Sequence, residues 1–99
     1  MTSEREDVIH VISLFGELDV ATAGEVRGEL ERAEASDAAS IVLDLSGLTF
    51  MDSTGIRLLI EARDRSRSDR NRLTLLRGPA SVQRVLQIAG VDDVLPFAD

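Results

Sequence analysis

The segment IVLDLSGLTFMDSTGI, residues 41–56, contains the junction on which the interpretation of the fold depends. It begins with IVLDL, a short apolar run with β-branched side chains, which indicates a buried central strand. It ends with DSTGI, where Asp52 or Ser53 is suited to begin a helix. SGLTFM, residues 46–51, is predicted to connect the two. The segment therefore predicts a strand that leads through a short connection into a helix.

Further strand and helix patterns precede this junction. VIHVISLF at residues 8–15 is mostly apolar on both alternating faces, which predicts a strand that is covered, or nearly covered, on both sides and ended by Gly16. The next segment has a helical period, and Thr22 and Glu25 have the spacing of a capping box. The buried stripe of this helix is predicted to be Val26, Leu30 and Ala33.

The same alternation continues toward the C-terminus. LTLL at residues 73–76 predicts another strand, and Gly78-Pro79 opens a third helix that ends before Gly90. The tail, residues 91–99, is predicted to form a turn and a short edge strand, because Pro96 is unsuited to a central strand. The last two helices are predicted to bury Ile56, Leu58, Leu59, Ile60, Ala62, Val82, Val85, Leu86 and Ala89.

Alternating strands and helices indicate an α/β fold with a largely parallel sheet. At 99 residues the chain has the size of one domain, which we expect to span residues 1–99. Its core must be aliphatic, since the sequence has three Phe and neither Trp nor Tyr.

Composition excludes several classes of function. The net charge of −7 disfavours a nucleic-acid partner, and the absence of Lys excludes mechanisms that need an ammonium group. The absence of Cys excludes thiolate chemistry and disulfides. No apolar run approaches the roughly 20 residues that cross a bilayer, and MTSERED at the N-terminus lacks the apolar core of a signal peptide. We therefore expect a soluble cytoplasmic protein with no membrane partner and no cofactor.

Polar side chains follow two of the predicted parallel strands. Glu17 and Asp19 follow the first strand, and Asp52, Ser53 and Thr54 follow the central one. Because the carboxyl ends of parallel strands meet at one edge of a sheet, we expect these residues to cluster. Ser53 has two interpretations that remain open at this point. It is the N-cap of the helix, a phosphorylation site at a helix N-terminus where a phosphate is well tolerated, or both, since a cap serine can also be phosphorylated.

Other chemistry has weaker support in the residues. A catalytic serine would need a nucleophile elbow that is absent, and His10 lies inside a strand pattern, where we expect a structural role. A magnesium site formed by Asp19, Asp44 and Asp52 competes with their simpler roles in capping and solvation. The arginine-rich run 63–72 is predicted to be a solvated helix end, where cations complement the helix dipole.

A known family has three similar segments in the same order: GELD at residues 16–19, VLDLSGLTFMDSTG at 42–55 and PASVQRVLQIAGVDDVLPF at 79–97. With these segments, nearly the whole chain resembles the bacterial anti-sigma factor antagonists of the STAS domain family. The resemblance implies a small mixed β-sheet of four to five strands with helices packed on it. It also implies a regulatory protein that is not an enzyme.

The resemblance assigns roles to residues of the MDSTG motif. It implies that Ser53 is phosphorylated by an anti-sigma factor with a GHKL-type kinase fold, with Thr54 as the fallback acceptor. A PP2C-type phosphatase would reverse the modification. The unphosphorylated form would bind the anti-sigma factor and release a sigma factor in a partner switch of the transcriptional stress response. The implied partner-binding residues are Asp19, Asp52, Ser53, Thr54, Gly55 and Arg57.

Arg57 departs from the family pattern. The family often has Leu-Gly after the motif glycine, where this chain has Ile56-Arg57. We expect this change to affect partner choice more than the fold. The alternative function is that of another STAS protein: a scaffold, a subunit of a transport complex, or a domain that binds a small ligand or a nucleotide.

Overall fold

The computed structural model describes residues 1–98, which form four strands and three helices. In chain order the elements are β1 (Thr2–Glu6), β2 (Ile9–Leu18), α1 (Ala23–Ala35), β3 (Ser40–Met51), α2 (Ser53–Ser68), β4 (Leu73–Leu76) and α3 (Ala80–Ile88). The sheet order is β1-β2-β3-β4, in which β1 is antiparallel to β2 and the other pairs are parallel. This is the predicted small mixed sheet with a central β3. Asp99, the last residue of the predicted tail, lies outside the described residues.

The three helices bury their apolar residues against one face of the sheet. Ile12 and Leu14 of β2 are at most 2% exposed, whereas Ile9 and Phe15, on the other face, are 42% and 57% exposed. The prediction that this strand is covered on both sides is therefore wrong. The sheet grows from β2 to β3 to β4 in one direction, and right-handed crossovers then place α1 and α2 on the same face.

The core is aliphatic, as predicted. From α1 and α2 it includes Val26, Leu30, Ala33, Leu58, Leu59 and Ala62, and from the strands Ile12, Leu14, Leu18, Ile41, Leu43, Leu45, Leu48, Met51, Leu73 and Leu75. Ile56 and Ile60 are partly buried against it. The predicted stripe of α3 is correct for Val82 and Leu86, but Val85 is only half-buried and Ala89 is exposed. Gln83 is buried instead, and its Oε1 accepts a hydrogen bond from the backbone N–H of Gly78 at 2.8 Å.

Both central strands are longer than predicted. Gly16 does not end β2, and SGLTFM is not a connection but the second half of β3. The pairing of β2 with β3 shifts register between Ser13 and Phe15 and again between Gly16 and Glu17. These bulges interrupt the alternation of buried and exposed residues, so the extension does not have a strand pattern in the sequence. Gly16 has φ +76°, a left-handed conformation that glycine adopts without strain.

One edge of the sheet differs from the sequence-based expectation, and the opposite edge agrees with it. β1 was not predicted, because all five of its residues are exposed and no apolar period marks it. At the opposite edge, Leu75 forms a parallel bridge with Phe97, and the N–H of Leu75 donates to the carbonyl of Pro96 at 2.9 Å. The tail thus lies along β4, in agreement with the predicted short edge strand.

Candidate functional site

The paired ends of β2 and β3 bring the polar residues that follow them together. Leu18 pairs with Met51, and the N–H of Asp52 donates to the carbonyl of Leu18 at 3.3 Å. Asp19 and Asp52 are therefore the first residues beyond neighbouring strand ends. Glu17 lies opposite Phe50 in the preceding pair. The two strands deliver these residues to one edge of the sheet, beside the start of α2.

Asp52, and not Ser53, is the N-cap of α2. Its Oδ1 accepts hydrogen bonds from the N–H of Thr54 at 2.9 Å and of Gly55 at 3.4 Å. The interpretation of Ser53 as the N-cap is therefore wrong. Aspartate and serine are comparably good caps, and the extended backbone at Asp52 (φ −113°, ψ −170°) decides between them. Ser53 becomes the first helical residue, exposed and unused in capping.

The next two residues of the motif are less accessible than Ser53. Thr54 is half-buried and Gly55 is buried. A Cβ added to Gly55 would lie 2.7 Å from Cγ of Met51 and 3.0 Å from Cγ of Leu18. This glycine therefore lets the first turn of α2 pack directly on the strand ends, so packing accounts for it.

Asp19 organises the turn that leads into α1. Its Oδ1 accepts hydrogen bonds from the N–H of Ala21 at 3.0 Å and of Thr22 at 3.2 Å. Thr22 is the residue before α1, but its side chain makes no cap bond; its Oγ1 donates to the carbonyl of Glu17 at 2.8 Å. The predicted capping box of Thr22 and Glu25 is therefore wrong. The hydroxyl closes the turn after β2 instead.

Two exposed apolar residues near these acids were missed in the sequence. Val20, directly after Asp19, is 80% exposed, and Phe50, two residues before Asp52, is 48% exposed. Phe50 lies in the bulged end of β3, where the broken alternation gives no sequence signal for its exposure. Arg57, one helical turn after Ser53, is also exposed. The site thus combines carboxylates, the exposed hydroxyl of Ser53, two exposed apolar side chains and the guanidinium of Arg57.

The acidic residues do not converge as metal ligands. Among residues 1–98 no group of three or more His, Asp or Glu side chains is placed to hold a metal ion. Asp44 instead accepts a hydrogen bond from the N–H of Ser46 at 2.9 Å. Nε2 of His10 lies 2.6 Å from Oγ of Ser3 on β1, in a strand-to-strand contact. No helix within the described residues is long and apolar enough to cross a bilayer.

The arginine-rich run after α2 is only partly the solvated helix end that was predicted. Arg72 has a side chain that is 3% exposed, and its guanidinium donates to the carboxylate of Asp69. It also donates to three backbone carbonyls at the end of α1 and in the loop that follows, those of Glu34, Ser36 and Ala38. The hydrogen bond from Arg72 holds the pKa of Asp69 below its usual value. Arg72 is therefore a structural residue.

This arrangement of sheet, crossovers and MDSTG junction agrees with a family match. The model of the STAS domain family matches residues 1–99. The chain belongs to the STAS domain family. A STAS-family antagonist of an anti-sigma factor is a regulatory protein and not an enzyme, which agrees with the prediction from the resemblance.

Proteins of two bacteria that are named as anti-sigma factor antagonists are similar to this STAS domain along most of its length. An anti-sigma F factor antagonist of Lysinibacillus sphaericus is 32% identical over 82 residues, covering 82% of this chain and 70% of that protein. An anti-sigma-B factor antagonist of Listeria monocytogenes is 28% identical over 93 residues, covering 93% of this chain and 82% of that protein.

Solved structures of anti-sigma factor antagonists are also similar to this STAS domain. An anti-sigma factor antagonist from Mycobacterium paratuberculosis has a TM-score of 0.82 and 27% identity, covering 97% of this chain and 81% of that one. The antagonist SpoIIAA in its unphosphorylated form has a TM-score of 0.80 and 27% identity, covering 99% and 87%. SpoIIAA of Bacillus in its phosphorylated form has a TM-score of 0.72 at the same identity, covering 99% and 90%. These proteins share the fold of this STAS domain.

Proposed function

We propose that this STAS domain is an anti-sigma factor antagonist that is switched off by phosphorylation of Ser53. The proposal rests on the different roles of Asp52 and Ser53 at the start of α2. Asp52 makes the capping hydrogen bonds, so the exposed hydroxyl of Ser53 is available to a kinase. The relatives named as anti-sigma factor antagonists, and the two solved forms of SpoIIAA, support the same role.

The unphosphorylated form binds an anti-sigma factor and thereby releases a sigma factor. The binding surface comprises Ser53 and Arg57 of α2 with the exposed Val20 and Phe50 beside them. Burial of apolar side chains is the main favourable term in most protein–protein association, and the acids around them help to fix the register of the complex. Asp19 and Asp52 present the acids, while the buried Gly55 acts by positioning the helix.

The anti-sigma factor is itself the kinase, of the GHKL type, and a PP2C-type phosphatase reverses the reaction. Ser53 is preferred over Thr54 because Ser53 is exposed and Thr54 is half-buried. A phosphate on Ser53 adds close to two negative charges at neutral pH. At the start of α2 these charges are compatible with the helix dipole, so the fold is retained.

The phosphate weakens binding at the interface. Asp19 and Asp52 already make this edge of the sheet acidic, and the partner's nucleotide phosphates add further negative charge. Like charges brought together across an interface cost several kcal/mol. A cost of about 4 kcal/mol lowers affinity on the order of 10³-fold.

The experiment measures the site of modification and affinity separately. Intact mass after incubation with a cognate anti-sigma factor and ATP is expected to rise by one phosphate, to be unchanged in Ser53→Ala, and to rise normally in the matched control Thr54→Val. Calorimetry with ADP present is expected to give tight binding by Ser53→Ala and weak binding by the phosphorylated form and by Ser53→Asp. Equal affinities would refute the switch and favour the scaffold or ligand-binding alternative. Loss of the circular dichroism signal on phosphorylation would refute the interface mechanism.

A further inference from the structure

Arg57 differs from Arg63 and Arg65 of α2 in having no ion pair within residues 1–98, a property that it shares with Arg67 near the end of the helix. Arg63 bonds Asp64 at 2.8 Å, and Arg65 bonds Glu34 at 3.0 Å. No carboxylate within residues 1–98 forms an ion pair with Arg57. Glu61, the acid one turn beyond Arg57, instead bonds Arg27 of α1 at 3.4 Å. Arg57 is therefore an exposed cation with free donors.

The position of Arg57 relative to Ser53 is fixed by the helix. Both residues belong to the regular part of α2, at spacing i and i+4, and both are exposed. Residues four apart on a helix lie on one face, with Cβ atoms about 5–6 Å apart. The side chain of Arg57 is long enough to span this gap, and helical side chains lean toward the N-terminus, which here is toward Ser53. A phosphate on Ser53 would extend toward it.

We propose that Arg57 is the intramolecular partner of the phosphate on Ser53 and holds it against the surface of α2. This inference rests on the proposed function only in taking Ser53 as the modified residue. A guanidinium binds phosphate oxygens through two parallel hydrogen bonds, and such charge-assisted bonds are stronger than neutral ones. Arg57 thus holds the phosphate in one position at the start of α2, and its positive charge offsets part of the negative charge that the phosphate adds.

The pairing has a measurable consequence for the phosphate itself. The second ionisation of phosphoserine occurs near pH 6, and a neighbouring cation favours the dianion. The carboxylates of Asp52, Asp19 and Glu17 around the helix start have the opposite effect, because negative charges favour the monoanion of the phosphate. They are the same in wild type and in an Arg57 variant, so the difference between the two proteins isolates the contribution of Arg57.

The experiment uses the full chain with phosphoserine placed at position 53 by genetic encoding, so that no kinase is needed. Phosphorus NMR follows the phosphate from pH 4 to pH 8 in wild type, Arg57→Gln and Arg67→Gln. Arg67 is the matched control, because it is an exposed arginine of the same helix about 20 Å from Ser53. The midpoint is expected to rise by about 0.2–0.4 pH unit in Arg57→Gln, the size of an exposed i,i+4 ion pair, and to stay unchanged in Arg67→Gln.

Salt and a conservative variant complete the test. At 1 M salt the difference between wild type and Arg57→Gln is expected to disappear, and Arg57→Lys is expected to retain about half of it or more. Equal midpoints for wild type and Arg57→Gln at low salt would overturn the pairing, and so would an equal shift in Arg67→Gln. Failure of a kinase to modify Ser53 would refute the proposed function but would not alter this titration, so the two failures are distinguishable.

Discussion

The two ends of α2 contain the same three kinds of polar residue in opposite settings. The α2 N-terminal cluster, Asp52, Ser53 and Arg57, lies at the surface, and its serine and arginine are exposed. The α2 C-terminal cluster, Ser66, Asp69 and Arg72, holds a buried serine and a buried arginine that bond the backbone. Residue type alone therefore does not separate a structural group from one available to a partner. The burial of each side chain and the hydrogen bonds that it makes separate the two kinds of group.

The difference follows from what each cluster must satisfy. At its N-terminus α2 needs acceptors for free N–H groups, and Asp52 alone supplies them. At the other end, the buried guanidinium of Arg72 lies against the last turn of α1 and the loop after it, where it donates to three backbone carbonyls. Oγ of Ser66 likewise accepts from the N–H of Leu73 at 2.9 Å. The α2 C-terminal cluster uses its polar side chains to stabilise the fold. In the α2 N-terminal cluster only Asp52 has such a role, and the side chains of Ser53 and Arg57 are available to a partner.

The largest effect is expected from substitution of the buried arginine. Arg72→Met removes the donors of three carbonyls and leaves them unsatisfied, which should lower the free energy of unfolding by about 3–5 kcal/mol. This is comparable to Leu59→Ala, a core truncation expected to cost about 2–5 kcal/mol. The matched control at the other end, Arg57→Met, should change stability by less than about 0.5 kcal/mol. Urea titration of the unphosphorylated proteins measures all three, and equal losses in the two arginine variants would break the comparison.

A smaller effect separates two neighbours in the α2 N-terminal cluster. Asp52→Ala removes the cap and is expected to cost about 1 kcal/mol, whereas Ser53→Ala should stay within about 0.5 kcal/mol. Asp52→Asn keeps a side-chain acceptor and should recover most of the loss. Thermal or urea unfolding measures the series. If Ser53→Ala were as destabilising as Asp52→Ala, Ser53 would be part of the cap and not a free hydroxyl.

The sequence was sufficient for the features that depend on local period and connection order. The apolar stripe of α1, the buried residues of α2 and the central position of β3 all follow from side-chain spacing. The mixed sheet came from the resemblance. β1 could not be predicted because its pairing with β2 is a tertiary event and its residues are exposed.

Several features around the site likewise could not be predicted from the sequence. The junction before α2 is evident from the sequence, but the choice of Asp52 over Ser53 as the cap depends on one pair of backbone dihedrals. Exposure of Phe50 depends on bulges in β3, and burial of Arg72 depends on the distant end of α1. In a run with five arginines nothing in the spacing distinguishes the buried one. Tertiary structure therefore decides the positions of Phe50 and Arg72, and the local backbone conformation decides the cap.

The smallest effect is a pH dependence within the α2 C-terminal cluster. The hydrogen bond from Arg72 lowers the pKa of Asp69 in the folded protein below the value of about 3.9 found in unfolded chains. A lowered folded-state pKa gives stability that is fully present above the unfolded pKa and is lost as pH falls through the folded pKa. Wild type should therefore exceed Asp69→Asn in stability at pH 7, and the gap should close as the pH falls below 4.

The effect should be modest, because the side chain of Asp69 is 43% exposed and water screens the pair. Asp37 provides the comparison. Its pKa is also lowered, by a hydrogen bond from Arg5, but its side chain is 93% exposed. Asp37→Asn should therefore show a weaker pH dependence than Asp69→Asn. Urea titrations at pH 7, 5, 4 and 3 measure both gaps. A gap for Asp69→Asn that widens toward low pH would contradict the sign. An equal gap for Asp37→Asn would mean that partial burial adds nothing to the pairing of Asp69 with Arg72.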